Sequence, residues 1–293
     1  MHAILELAKR KTLIFDGAMG TMLMAAGLKA GESPELWNIE KPSLVTDIHR
    51  KYYEAGSDVV HTNTFGGNTI KLGERGLADK METINVEAAR LAREACPAGK
   101  FVAGDIGPTG KLLKPLGDLV LEEAEEGFFR QAQALIKGGV DLISIETMFS
   151  LEEALAALRA AKRLGDVLVI AALTFNRTKK GFFTMMGEGV KQAVSAFEAA
   201  GADVIASNCS LGSRDMIDLT KELRAATRKP ILIQPNAGKP VTQKGVTSYQ
   251  QTPAEFAQDG KEIGNFGADM IGGCCGTNPE FIRALAHTLG NLS

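Results

Sequence analysis

Three cysteines, Cys209, Cys274 and Cys275, stand where metal chemistry can be built. Cys209 follows Val204-Ile205-Ala206-Ser207-Asn208 and the Cys274-Cys275 pair follows Met270-Ile271-Gly272-Gly273, so each falls just past a short β-rich apolar run. Adjacent residues of a regular strand point to opposite faces, so the pair can share one ion only if the strand stops or bends there. Gly272, Gly273 and Gly276 permit that bend. Soft sulfur ligands select zinc over magnesium or calcium, with other thiophilic metals still compatible. Three protein thiolates leave a fourth coordination place open, which marks a catalytic site; structural zinc is usually enclosed by four protein ligands. Such a centre lowers the pKa of a bound thiol yet leaves its sulfur electron-rich, which favours sulfur alkylation over hydrolysis. The bland alternative is three ordinary buried cysteines. Cys96, in Glu94-Ala95-Cys96-Pro97, follows a helical stretch and precedes a strand, and is expected at the opposite face, outside the cluster.

A cluster of this kind needs a frame that brings separate strand ends together. Eight runs qualify as strands: Thr12–Phe15, Asp58–His61, Phe101–Ala103, Asp141–Ile145, Leu168–Leu173, Asp203–Ser207, Ile231–Ile233 and Asp269–Ile271. Stretches of helical periodicity separate them, with start signals at Ser150 with Glu153 and at Thr252-Pro253 with Glu255. Strands alternating with helices predict an α/β fold, a (β/α)8 TIM barrel forming a single domain over residues 1–293, with an open doubly wound sheet as the competing arrangement. A junction recurs before strands two, four, six and eight: Gly56-Ser57-Asp58-Val59, Gly139-Val140-Asp141-Leu142, Gly201-Ala202-Asp203-Val204 and Gly267-Ala268-Asp269-Met270. In each, the glycine can end a helix in the left-handed conformation and the apolar residue begins a buried strand. The carboxyl-terminal face of a barrel carries its active site because the loops there converge over the axis, and all three cysteines belong to that face.

Charge and composition narrow the function class. The 293 residues carry a formal net charge of −2 with acids and bases interspersed. Neither nucleic acid nor an anionic membrane is therefore the expected partner. The first ten residues include Glu6, Lys9 and Arg10 instead of an apolar signal core, and no apolar run reaches spanning length, so a cytoplasmic location is expected. Four cysteines are too few for a disulfide framework in a chain this long.

Seven segments carry a family resemblance: Asp16-Gly17-Ala18-Met19-Gly20-Thr21, Thr62-Asn63-Thr64-Phe65, Gly104-Asp105-Ile106-Gly107-Pro108, Glu146-Thr147, Asn208-Cys209, Gln234-Pro235-Asn236-Ala237-Gly238 and Gly272-Gly273-Cys274-Cys275-Gly276-Thr277. With these the chain closely resembles the homocysteine S-methyltransferase family across nearly its whole length. Within the family it is most similar to the amino-terminal, homocysteine-binding module of cobalamin-dependent methionine synthases. The resemblance implies a zinc on Cys209, Cys274 and Cys275, and homocysteine held by its amino acid end. Asp16 and Glu146 then read the substrate ammonium, and backbone N–H groups around Gly17, Ala18 and Thr62 receive its carboxylate. Ala18 stands where relatives have a second glycine. Asn236 is expected to touch the zinc when substrate is absent. Each residue also has a structural reading: Asp16 and Asn236 as turn supports, Glu146 as the partner of a barrel arginine. His61 and Asp105, at neighbouring strand ends, are read as a core histidine and a loop-orienting carboxylate and carry no assigned role.

The donor is the open question at this level. One barrel leaves no room for folate or corrinoid modules, so a methylcorrinoid such as methylcobalamin would come from a separate corrinoid protein or from methionine synthase modules. Asp47-Ile48-His49 matches the start of an Asp-x-His-x-x-Gly corrinoid motif, but Tyr52 occupies the glycine position and Leu44, Ile48 and Tyr52 read as one helix face. Arg177, Lys179 and Lys180 could dock such a partner or simply form a solvated loop. The alternatives are S-methylmethionine or a betaine as donor, and a zinc-bearing binding subunit without catalysis.

Overall fold

The computed structural model describes residues 2–243 and 246–291. All eight expected strands form, as β1 (Leu13–Ile14), β2 (Val59–His61), β3 (Phe101–Ile106), β4 (Leu142–Met148), β5 (Leu168–Leu173), β6 (Val204–Gly212), β7 (Ile231–Asn236) and β8 (Met270–Ile271). Every neighbouring pair is parallel. The ring closes where Phe15 bridges to Val59 and the Asp58 N–H donates to the Ile14 carbonyl at 2.6 Å, so the sheet is a barrel and the open alternative falls away. A long helix follows each strand, from Pro42–Glu54 after β1 to Pro279–Thr288 after β8. Thr252 and Glu255 make the full reciprocal cap expected of them. Ser150 caps its helix, but Glu153 instead accepts from the backbone N–H and hydroxyl of Thr109 at 2.8 and 2.6 Å.

Period-two alternation divides the strand residues between two cores. Leu13, Phe15, Val59, Ala103, Leu142, Leu168, Ile170, Val204, Leu232 and Met270 fill the barrel interior, which the short helix Ala3–Ala8 plugs at its amino-terminal end with Ile4. Ile14, Val60, Val102, Ile143, Val169, Ile205, Ile231 and Ile271 face the helices instead. Continuing the inward parity toward the carboxyl ends brings up His61, Asp105, Ser144, Glu146, Asn208, Gln234 and Asn236. The interior is thus apolar below and polar above.

The recurrent junction has a second function at the lower face. Gly56, Gly139, Gly201 and Gly267 all have φ between 87° and 109°, as a helix-ending glycine requires. The aspartate two residues on grips the preceding strand. Asp58, Asp141, Asp203 and Asp269 each accept the N–H of Ile14, Val102, Val169 or Ile231 through the side chain, at 2.7–3.0 Å, while their own N–H donates to that same residue's carbonyl. Each carboxylate also meets a cation: Lys11 and Lys100, Arg93, Lys162, and Arg224. Replacing the buried Asp58 by Ala strands the Ile14 amide and is expected to cost roughly 1–3 kcal/mol. Chemical denaturation measures it, and a loss below about 0.5 kcal/mol, the level of an ordinary surface substitution, would contradict the clamp.

Candidate functional site

Two bulges shape the polar end of the barrel. The β4–β5 register shifts between Ile145 and Met148, which leaves Thr147 at φ 56°, and the β6–β7 register shifts between Asn208 and Gly212, with Cys209 at φ 62° and Ser210 at φ 60°. Left-handed backbone at non-glycine residues is costly and concentrates at working sites. Asn208 ties the two bulges together, its Oδ1 accepting from the Thr147 N–H and its Nδ2 donating to the Thr147 hydroxyl, both at 2.7 Å. The same amide reaches the Cys274 sulfur at 3.8 Å.

β8 ends at Ile271, as the paired cysteines require, and the turn beyond it is fastened on both sides. The Gly273 N–H donates to the Asp16 carbonyl, the Cys274 N–H to the Pro235 carbonyl, and the Gly276 N–H to the Thr21 hydroxyl, while the Cys275 carbonyl accepts from Ala237. Both side chains of the pair thereby turn toward Cys209, and the three sulfurs lie within 4.8 Å of one another. Cys209 and Cys275 are 3.8 Å apart. Tetrahedral ligands at the usual zinc–sulfur distance would be separated by about 3.8 Å, so donor type and spacing both fit zinc. Cys96 lies at the end of helix Met81–Ala95, against Arg93, outside this cluster. Hydrogen bonds from Cys209 and Cys274 push the Cys275 thiol down to about 3, while the same contacts and burial push Cys274 up.

The sulfurs form one wall of a cavity of about 640 Å³ at the barrel mouth. Ala18, Thr62, Asp105, Glu146, Thr147, Glu35 and Tyr249 also line it, with no lysine or arginine among the described residues. Tyr249 lies at the end of the hairpin Pro240–Gln243/Val246–Tyr249 and packs on Gly276, where a Cβ would fall 2.3 Å from its ring; nothing in the residue pattern pointed to it. Burial pushes Glu146 up to about 7, with Asp16 and Cys275 adding and His61 opposing.

The remaining expected site residues have defined places. Asp16 is buried and does not line the cavity: its two oxygens accept from the His61 N–H at 2.9 Å and pair with His61 Nδ1 at 2.7 Å. The His61 Nε2 faces the Ser144 hydroxyl at 3.1 Å. Burial alone would lower His61, but Asp16 raises it to about 9. Gly17 lies against Thr277 and Tyr52, and the Ala18 and Thr62 N–H groups already donate to the Thr277 hydroxyl and the Ala103 carbonyl. Asn236 is buried, with its Oδ1 unpartnered among the described residues. His49 is enclosed in helix Pro42–Glu54, where burial lowers it to about 3, so Ile48 and His49 are helix packing while Asp47 is exposed and paired with Arg50. Arg177 is engaged by Asp215 and Asp218.

Comparison with known proteins gives the same frame. A family model described as homocysteine S-methyltransferase matches residues 13–289. The methionine synthase of Mycobacterium tuberculosis is 32% identical over 307 aligned positions, covering 99% of this chain, and that of Mycobacterium leprae is 31% identical. The chain spans about a quarter of the length of these relatives. The metallated homocysteine methyltransferase MmuM of Escherichia coli superposes with a TM-score of 0.82 at 23% identity, over 97% of this chain and 98% of that one, a likeness of fold. No helix among the described residues is long and apolar enough to cross a membrane.

Proposed function

Because this chain belongs to the homocysteine S-methyltransferase family, we propose that it is a zinc-dependent enzyme that methylates the thiol of homocysteine to give methionine, with a methylcorrinoid as donor. The observation that carries this reading is the meeting of three cysteine sulfurs at one wall of a cavity whose lining otherwise carries acidic but no basic side chains among the described residues. Cys209, Cys274 and Cys275 would hold the zinc, with Asn236 beside them when no substrate is bound. When bound, the ion supplies a fourth coordination place at which a substrate thiol ionises near neutral pH. The chain's own groups do the rest. Glu146 meets the ammonium, the small residues around Gly17, Ala18 and Thr62 leave room for the carboxylate, and the Asp16–His61 pair stiffens the mouth between β1 and β2. The substrate sulfur then forms its bond to the methyl carbon in line with the bond that breaks, whose electron pair leaves with the carrier.

A broad donor must meet the rim of the barrel, because a corrinoid ring cannot enter a pocket of this size. The rim supports such contact through apolar groups: Met24 and Phe65 at the cavity, and Leu112, Leu116, Met185 and Met186 on the loops after β3 and β5. With Arg177 paired internally, these side chains outweigh the charged segment around it as a docking surface. The donor would ride on a separate corrinoid protein or on further methionine synthase modules, in keeping with relatives four times as long. The competing readings are a small donor, S-methylmethionine or a betaine, and a zinc-bearing binding subunit. Turnover of homocysteine with methylcobalamin, S-methylmethionine and glycine betaine at matched concentrations separates them. Methylcobalamin is expected to be the most efficient; turnover confined to a small donor overturns the donor, and turnover with none, despite bound zinc and homocysteine, favours the binding subunit.

A further inference from the structure

Ammonium recognition needs a carboxylate that is free, fixed in direction and open to the cavity. Asp16 fails the first condition, since both of its oxygens are engaged by His61. Asp105 meets all three. It is 5% exposed, lines the cavity, and its Oδ1 has no partner among the described residues. Its backbone is pinned on both sides: the N–H donates to the Thr62 hydroxyl at 3.0 Å, and the carbonyl accepts from the Thr64 hydroxyl at 2.7 Å and from Gln131 at 3.3 Å. Strand parity points the side chain inward, level with Ser144 of the adjacent strand β4 and one inward-facing position short of Glu146.

A buried carboxyl oxygen without a partner is expensive, and native proteins keep few of them without a reason. The nearby cationic group, His61, is committed to Asp16 and Ser144. What would complete Asp105 is a cation that arrives from outside, and the site that takes a thiol at its sulfur wall has room for one opposite. We infer that Asp105, acting with Glu146, binds the ammonium group of the substrate, so that preference for an α-amino thiol over a plain thiol resides on β3 and β4. This inference rests on the thiol-binding reading above and adds a specificity-determining residue to it. Burial holds both carboxyls above their usual range, with Glu146 adding to the rise at Asp105 and Asp16 and Cys275 to that at Glu146.

The test uses homocysteine and 4-sulfanylbutanoic acid, which keeps the thiol and the carboxylate but lacks the ammonium. Calorimetric binding to zinc-loaded wild type is expected to favour homocysteine by about tenfold or more, the loss typical of a charge-assisted hydrogen bond. Asp105→Asn should weaken homocysteine by about tenfold and leave 4-sulfanylbutanoic acid within about twofold of wild type, with zinc content unchanged. The melting temperature should hold or rise, because an amide is cheaper to bury than a carboxylate. A purely structural Asp105 would instead lower the melting temperature and weaken both thiols alike, which overturns the inference. Equal affinity of wild type for the two thiols also overturns it and leaves thiol binding intact; binding of neither overturns both.

Discussion

Alanine at Cys209, Cys274 or Cys275 is expected to strip the protein of its metal, whereas Cys96→Ala should keep a full complement. Changes one shell away from a metal already cost roughly 10–100-fold in affinity, so removing a sulfur ligand should exceed about 100-fold. Methylation of homocysteine should fall with it. The contrast within one chain makes the experiment sharp, since all four thiols are partly buried but three converge within 4.8 Å and the fourth lies against Arg93. Zinc per chain after dialysis against a chelator, with X-ray absorption for sulfur scattering, reads it directly. Equal retention in the four variants would remove the basis for the proposed function.

Adding one methyl group at Gly272 should be nearly as damaging, although this residue is not part of the cavity lining. A Cβ there would lie 2.7 Å from the Phe15 Cβ and 2.9 Å from the Asp16 carbonyl oxygen, and the latter is backbone that also anchors Gly273. Either β1 or the cysteine turn must move. Overpacking of this kind typically costs 1–3 kcal/mol, and the displaced turn should loosen the zinc as well. Gly20→Ala provides the contrast: nothing lies within 4 Å of its Cβ and it sits in helix Met19–Ala25, so stability should rise by roughly 0.5–1 kcal/mol. Thermal melting and zinc content of the two variants decide the matter, and an unperturbed Gly272→Ala would disprove the close packing of β8 on β1.

The eight strands were legible because their buried cores are continuous apolar runs, but several of their ends were not. β4, β6 and β7 continue through Glu146, Asn208 and Asn236, where pairing persists after the hydrophobic pattern stops because the barrel interior turns polar. The glycines of the recurrent junction could be read from backbone preference alone. Their aspartates could not, since the amide each one grips belongs to the preceding strand. The cysteine cluster was visible because it needs only strand ends and a glycine-permitted bend. The surroundings of the carboxylates were harder: only closure of the ring places His61 beside Asp16, and only strand parity turns Asp105 toward the cavity. Tyr249 enters on a hairpin inserted after β7, which no strand–helix pattern foretells.

The aspartate clamps also bear on the order in which the barrel is put together. They join residues 44, 39, 34 and 38 positions apart and divide the ring into four consecutive two-strand segments, each closing a far shorter loop than the β1–β8 pairing. Cys209 belongs to the third segment, and Cys274 and Cys275 to the fourth. The three sulfurs meet only where those two segments dock, so an ion held among them would tie the last two quarters of the ring together. Metal uptake during refolding is then expected to follow the joining of those two quarters.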